Sequence, residues 1–150
     1  MNPHYRNIQT SLLRFCSDFA TEMTNFGYDL TKVNLDAKAT PQEWPKQSFI
    51  GVSDAQYDFD ERMIEVTLAF VISTVDDENL FKMDELINRL LNKLMVGSRI
   101  RIYDAVNGAP LGHLVAANGM RVGTILNTES QSAKPIFIRL ISDQMLSGPD

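Results

Sequence analysis

The sequence has few of the residues on which covalent cross-links, metal sites and acid–base catalysis usually depend. Its 150 residues include one cysteine, Cys16, and two histidines, His4 and His113. A single cysteine cannot form an internal disulfide or a zinc site built from several thiolates. A hydrolase triad needs a base beside its nucleophile, and no serine lies in a G-x-S-x-G motif. His113 is the one candidate base, and its place in a predicted strand favours a non-catalytic role. The sequence therefore predicts a protein that is not an enzyme and holds no metal or cofactor.

Long apolar runs and an excess of positive charge are also missing. The longest uninterrupted apolar run is Leu68–Ile72, far shorter than the roughly 20 residues of a membrane span. The first residues show no apolar segment of an export signal. Fourteen Lys and Arg against nineteen Asp and Glu give a net charge of −5, which argues against binding to phosphate backbones or anionic membranes. We expect a protein that folds inside a cell, with no membrane partner and no sequence-specific recognition of nucleic acid.

What the sequence does contain is the composition of an ordinary globular domain. Hydrophobic residues make up 44% and charged residues 22% of the chain, which excludes wholesale disorder. A chain of this length has room for one core. We predict a single domain over residues 1–150, with a helix over about 5–26, an irregular arm over about 28–47, an α+β core over about 48–146 and a frayed tail at 147–150.

Two segments have the periodicity of amphipathic helices. In the first, apolar residues recur at steps of three and four, and Gly27 follows as a left-handed C-cap. These residues are Ile8, Leu12, Phe15, Phe19, Met23 and Phe26. In the second, Asp76 or Asp77 is expected to cap a helix that Gly97 ends. Its apolar face consists of Leu80, Met83, Leu86, Ile87, Leu90, Leu91 and Leu94.

Alternating apolar and polar residues predict the strands. The clearest alternation runs from Ile64 to Ile72, and we expect this strand to be central in its sheet and buried on both faces towards its end. A short strand is predicted at Phe49–Val52, followed by a polar connection at Asp54–Arg62. In the arm, Val33 and Leu35 alternate with polar neighbours, so a short edge strand is a further possibility.

The last third of the chain has the pattern of β-hairpins. Ile100, Ile102 and Tyr103 indicate a strand, and Asn107-Gly108 and Asn118-Gly119 are tight-turn signals. The remaining predicted elements are a return strand at Leu111–Ala116, a strand at Met120–Asn127, a polar loop at Thr128–Lys134 and a last strand that Pro135 opens. The predicted fold class is α+β: an N-terminal helix, a mostly antiparallel β-sheet with a second helix packed across it, and C-terminal β-hairpins.

Two features of the predicted surface allow two interpretations each. Trp44 lies between Pro41 and Pro45, and it is either a docking anchor for a partner or a lid folded onto the core. Arginines recur in three predicted strands, at Arg99, Arg101, Arg121 and Arg139. If those strands are neighbours, one sheet face carries an arginine cluster. Such a cluster either meets a carboxylate-rich partner or nucleic acid, or is a solvated face whose charges oppose aggregation.

The order of these elements resembles that of a known family. The resemblance is carried by FIGVSDAQYDFDERMIEVTLAFVISTVDDENLFKMDELINRLLNKL, by SRIRIYDA and by the closing strand KPIFIRLISD. Over about residues 1–146, this layout is similar to that of the small tail-terminator and tail-completion proteins of long-tailed bacteriophages. The likeness lies in the order of the elements and in their general residue pattern, and no invariant motif accompanies it.

The resemblance implies a non-enzymatic structural protein of the virion, made in the host cytoplasm. Copies of it would form a homo-oligomeric, hexameric ring that caps the tail tube, so its partners would be the tail-tube protein and the head–tail connector. The alternatives are another neck, tail or baseplate component, or a module of α+β type that binds a small molecule or peptide. The candidate interface residues are Trp44, Asp58, Arg99, Arg101, Asn107, Asn118 and Arg121.

Overall fold

A computed structural model describes residues 4–35, 43–60, 63–117 and 119–142. In these residues the chain forms two α-helices and eight strands, which confirms the predicted α+β class with a second helix packed on the sheet. The elements are α1 (Tyr5–Asn25), β1 (Thr31–Asn34), β2 (Phe49–Phe59), β3 (Ile64–Thr74), α2 (Phe81–Lys93), β4 (Arg99–Tyr103), β5 (Pro110–Ala116), β6 (Arg121–Val122), β7 (Leu126–Asn127) and β8 (Ser132–Ser142).

The strands form one sheet in the order β1-β2-β3-β8-β5-β4. The β1–β2 pair is parallel and the other pairs are antiparallel. Strand β8 has β3 along one edge, and along the other edge it meets β7, β6 and β5 in succession. The predicted central position of β3 is confirmed, because β2 and β8 flank it.

Both helices pack on the same face of the sheet. Alternate residues of β3 and β8 point towards them, and these side chains join the buried faces of α1 and α2 in one hydrophobic cluster. The sheet side of this cluster includes Val66, Leu68, Phe70, Ile72, Ile136, Ile138 and Leu140. Both faces of β3 are buried from Leu68 onwards, as the sequence predicts. Removal of this apolar surface from water is the main favourable term in folding.

Helix α1 ends as the sequence predicts, but its last aromatic residue does not join the core. Gly27 has a φ of 96°, its N–H donates to Thr24, and the Tyr28 N–H donates to the Met23 carbonyl. This is the Schellman arrangement of a glycine-capped helix. Because the chain turns away there, Phe26 is 57% exposed and lies beneath the Arg89 guanidinium, at 4.2 Å. Its predicted place in the apolar stripe is wrong.

Cys16 is fully buried between α1 and the sheet. Desolvation by burial raises the pKa of its thiol to about 12, although the charge of Lys32 acts in the opposite direction. Since the thiolate is the reactive form of cysteine, the folded protein keeps this side chain inert.

The cap of α2 acts across a tight turn. A short 3-10 turn at Glu78–Leu80 precedes the helix, with Asn79 and Leu80 in the left-handed region at φ 65° and 60°. The Asp77 carboxylate reaches past this turn and accepts the N–H groups of Lys82 and Met83, at 3.0 and 2.9 Å. Asp77, one of the two predicted cap residues, is therefore the N-terminal cap of α2. The helix begins later than expected, because the turn intervenes.

Three predicted strand boundaries are wrong. The polar connection at residues 54–62 is largely strand, because β2 continues to Phe59. A register shift between Ser53 and Gln56 breaks the alternation that would have indicated this continuation. The strand expected at residues 120–127 is divided into β6 and β7, and β8 begins before Pro135.

Other predictions concern the arm and the turns. The short edge strand in the arm is confirmed as β1. In the turn between β4 and β5, Gly108 has a φ of 75° and its N–H donates to the Asp104 carbonyl. Asn118 of the second predicted turn, and the tail at residues 147–150, lie outside the described residues.

Helix α1 contacts the end of the edge strand β4. The buried Ser11 hydroxyl accepts the Tyr103 N–H at 2.9 Å, and the Asn7 side-chain oxygen accepts the Ala105 N–H at 2.9 Å. The Arg14 guanidinium lies 4.0 Å from the centre of the Tyr103 ring. The bond to Ser11 satisfies a backbone donor at the end of this edge strand, which would otherwise be open to a further chain.

We expect Ser11→Ala to lower the free energy of unfolding by about 1–3 kcal/mol, because the partly buried Tyr103 N–H then lacks its acceptor. Urea denaturation followed by circular dichroism measures the change. Ser17→Ala on the same helix is the control, with an expected effect within about 0.5 kcal/mol. Equal effects of the two substitutions would show that the bond to β4 contributes nothing.

We expect Asp77→Ala to destabilise the protein by about 1 kcal/mol, because two N–H groups in the first turn of α2 lose their acceptor. Thermal and urea denaturation measure this loss. Glu78→Ala is the matched control: it removes a neighbouring carboxylate from the exposed turn and should change stability by only a few tenths of a kcal/mol. A larger effect of Glu78→Ala would contradict the assignment of the cap to Asp77.

Candidate functional site

The sheet has a second face, directed away from both helices. Cross-strand partners lie on the same side of a sheet, so the observed registers define this surface. We call it the open face, and in the described part of the chain no helix packs on it. Its residues include Gln56, Asp58, Glu65, Thr67, Arg99, Arg101, His113, Val115, Arg121, Phe137, Arg139 and Ile141.

One end of this side of the sheet is covered by the segment that contains Trp44. The Trp44 ring meets the Phe49 ring edge to face, with centroids 5.6 Å apart. It packs on a small cluster made of Val33, Leu35, Phe49, Val71 and Ala133. Beneath it, β1 approaches β2 closely at Gly51, since a Cβ there would lie 2.7 Å from the Val33 carbonyl oxygen. This half-buried packing is that of a lid, and a role of Trp44 in an interface stays a prediction.

The four arginines that the sequence placed in predicted strands lie on one face of the sheet. Arg99 and Arg101 are exposed on β4, and pairings through β5 and β8 place them on the same face as Arg139. Arg121 pairs with Phe137 in the β6–β8 ladder, and its guanidinium lies 4.8 Å from the centre of that ring. The strands that bear these arginines thus belong to one surface, although the sequence separates them widely.

Arg139 is held by a glutamate of the adjacent strand. Its Nε donates to Glu65 Oε1 at 2.5 Å, and its Nη2 donates to Glu65 Oε2 at 3.1 Å. This two-point hydrogen bond keeps the pKa of Glu65 below its usual range and raises the pKa of Arg139. The guanidinium is thereby fixed in orientation, and some of its N–H donors still point elsewhere.

Between these groups the open face has a cleft of about 420 Å³. Arg121 supplies positive charge, Arg139 supplies N–H donors, the Phe137 ring supplies an apolar wall, and Thr67 and Gln56 supply a hydroxyl and an amide. A guanidinium stacked on an aromatic ring keeps its donors available in its own plane. The cleft is therefore suited to a group that combines an apolar part with carboxylates.

The other candidate residues have different surroundings. Asp58 is exposed on β2, directly opposite Glu65. The side-chain oxygen of Asn107 accepts the Ala109 N–H at 2.8 Å, so it supports its own turn. Asp104 accepts the N–H groups of Val106 and Asn107, and these bonds lower the pKa of its carboxyl. Asn118 lies outside the described residues.

The aromatic wall and the ion pair of the cleft were not predicted from the sequence. A signal for the wall was present, because Phe137 and Arg139 alternate with the buried Ile136, Ile138 and Leu140 along β8. No local pattern indicates that β6 pairs with β8, and that pairing brings Arg121 to Phe137.

His113 lies half-buried on the open face, as the cross-strand partner of Arg101. Among the residues that the structure describes, no three His, Cys, Asp or Glu side chains gather where they would share a metal ion. Within the same residues, neither helix has the length and apolarity needed to cross a membrane.

Comparisons with known proteins add no family assignment. No protein-family model matches the chain, and no curated protein is significantly similar to it.

We expect the stability contributed by the Glu65–Arg139 pair to depend on pH. A lowered pKa in the folded state means that this contribution is complete above the ordinary glutamate pKa of about 4.3 and is lost as the pH falls through the folded value. The difference in unfolding free energy between wild type and Glu65→Gln should therefore be largest near neutral pH and disappear in acid.

Urea denaturation at a series of pH values measures this difference. Glu129→Gln, in the exposed loop before β8, is the control and should show no such dependence. The pair is partly exposed, so added salt should reduce its contribution. A difference for Glu65→Gln that stays constant across the acidic range would contradict the assignment.

Proposed function

We propose that this protein is a non-enzymatic structural subunit that assembles with copies of itself into a ring at the end of a bacteriophage tail tube. As a tail terminator, it would cap the tube and join it to the head–tail connector. It would act in the virion after assembly in the host cytoplasm. The observation that carries the proposal is the open face, where apolar and arginine side chains lie on a sheet surface uncovered by the described helices.

The composition of the open face is that of a contact surface. Val115 and Ile141 are direct cross-strand neighbours, and Phe137 lies on the same side of β8. Apolar patches rimmed by charge mark interaction sites on soluble proteins. Arginine and phenylalanine are also enriched at protein interfaces. These three apolar side chains are partly exposed on the open face.

The element order supports the more specific role. A long N-terminal helix, a strand pair, a helix across the sheet and closing strands form the layout that resembles tail terminators. A ring needs heterologous contacts, in which one surface of a subunit meets a different surface of the next. The hexameric number comes from the resemblance.

The cleft favours a second candidate function. At about 420 Å³ it falls within the volume range of pockets that bind small molecules. A module that binds an acidic small molecule or peptide would use the same arginines. This function predicts saturable thermal stabilisation by such a ligand, with no change in oligomeric state.

The test combines association with binding to tubes. Light scattering over a wide concentration range measures molar mass, and negative-stain microscopy examines the most concentrated sample alone and after addition to purified tail tubes. We expect association into closed rings of one size and density at one end of each tube. Monomers at every concentration that also leave tube ends bare would refute the proposal. Stabilisation by acidic ligands in those monomers would support the second candidate.

A further inference from the structure

We infer that the cleft on the open face receives the start of α2 from a second copy of this chain, with Phe81 as the inserted side chain. The inference rests on the proposed function, because it names the two surfaces by which neighbouring copies meet. We call Glu78, Phe81 and Asp84 the knob.

The cleft selects its occupant by charge and by an aromatic wall. Arg121 lies over Phe137, and Arg139 is oriented by Glu65. Two guanidiniums thus flank one apolar ring at the cleft. The complementary surface has an apolar side chain between two carboxylates, since guanidinium groups pair with carboxylates in a plane.

This chain itself carries such a surface. Phe81, the first residue of α2, is the most exposed aromatic residue of the described part, at 74%. The other exposed aromatic side chains there have partners: Tyr5 and Phe59 pack on Tyr57, and Phe26 lies beneath a guanidinium. An exposed phenylalanine without such a contact is the kind of anchor that fills a pocket on a partner.

Two carboxylates accompany Phe81. Glu78 precedes it by three residues in the turn, and Asp84 follows it by three residues on the helix, and both are exposed. Residues three apart on a helix share a side, so Asp84 lies beside Phe81. The carboxylates of the knob are opposite in charge to the Arg121 guanidinium of the cleft, whereas the charge of Arg139 is already balanced by Glu65.

The positions of the two surfaces exclude a contact within one molecule. Helix α2 packs on the inward-facing residues of β3, and the cleft opens on the opposite side of the sheet. A knob that enters a neighbour's cleft is therefore a head-to-tail contact. Such contacts close into a ring when the rotation between copies allows it.

The experiment reverses the charge of each surface in turn. Arg121→Glu reverses the cleft, and the double variant Glu78→Arg with Asp84→Arg reverses the knob. Each variant alone should need a protein concentration at least about tenfold higher for half-association, as measured by light scattering. An equimolar mixture of the two should associate like wild type, because each reversed cleft then meets a reversed knob.

Further variants separate charge from packing. Phe81→Ala removes the inserted ring with no change of charge and should also shift association to higher concentration. Lys46→Glu has the same charge change as Arg121→Glu on an exposed segment away from the cleft, and it should associate like wild type. Thermal denaturation of each variant verifies that the fold is retained.

If Arg121→Glu and Phe81→Ala each form rings as readily as the wild type, the inference is overturned and the proposed function still stands. Failure of the mixture to associate would also overturn it. If the wild-type protein stays monomeric in solution yet caps tail tubes, the cleft is not occupied by a second copy of this chain. If Arg121→Glu rings form normally but no longer bind tubes, the occupant is the tube protein.

Discussion

Most of the sheet depends on strand β8. Strand β3 lies along one of its edges, and β7, β6 and β5 divide the other edge between them. The two shortest strands, β6 and β7, join the sheet only through this contact in the described residues. Strands β3 and β8 are far apart in sequence, so their pairing requires the closure of a long loop. The loss of chain entropy in that closure comes before the contacts that compensate for it. Completion of the sheet is therefore a cooperative and non-local event.

The side chains of β8 alternate between the hydrophobic core and the open face. Ile136, Ile138 and Leu140 face the helices, whereas Phe137 and Arg139 face outward. Core packing and surface recognition are thus one residue apart along a single backbone. This spacing lets the outward residues vary with the partner while the inward residues keep the fold. It also means that a slip of one residue would exchange the two sets.

The periodic parts of the fold could be predicted from the sequence, because their side chains repeat with the geometry of the element. Helix α1, strand β3 and the β4–β5 hairpin are examples. The extension of β2 could not, because a register shift interrupts its alternation. The late start of α2 could not either, since Asp77 caps it from beyond a left-handed turn. For Phe26, periodicity was a poor guide because the helix ends one residue earlier.

The candidate site was predictable only in part. Alternation along the strands indicated that arginines share a face, and the registers confirm it. The cleft depends on which strands are neighbours, and no local pattern specifies that β6 lies beside β8. The contact of Trp44 with Phe49 likewise depends on how the arm folds back. Contacts of this kind join residues that are far apart in the chain, and they leave no local pattern from which they could be predicted.

Chemical labelling of Cys16 can report how often helix α1 separates from the sheet. Its thiol is buried beneath α1, and its pKa of about 12 leaves almost no thiolate at neutral pH. An alkylating reagent can therefore modify it only during the intervals in which α1 separates from the sheet. The rate of labelling measures how often this separation occurs. Because the open face lies on the other side of the sheet, a change in that rate on assembly would show how far contacts at one surface restrain motion at the other.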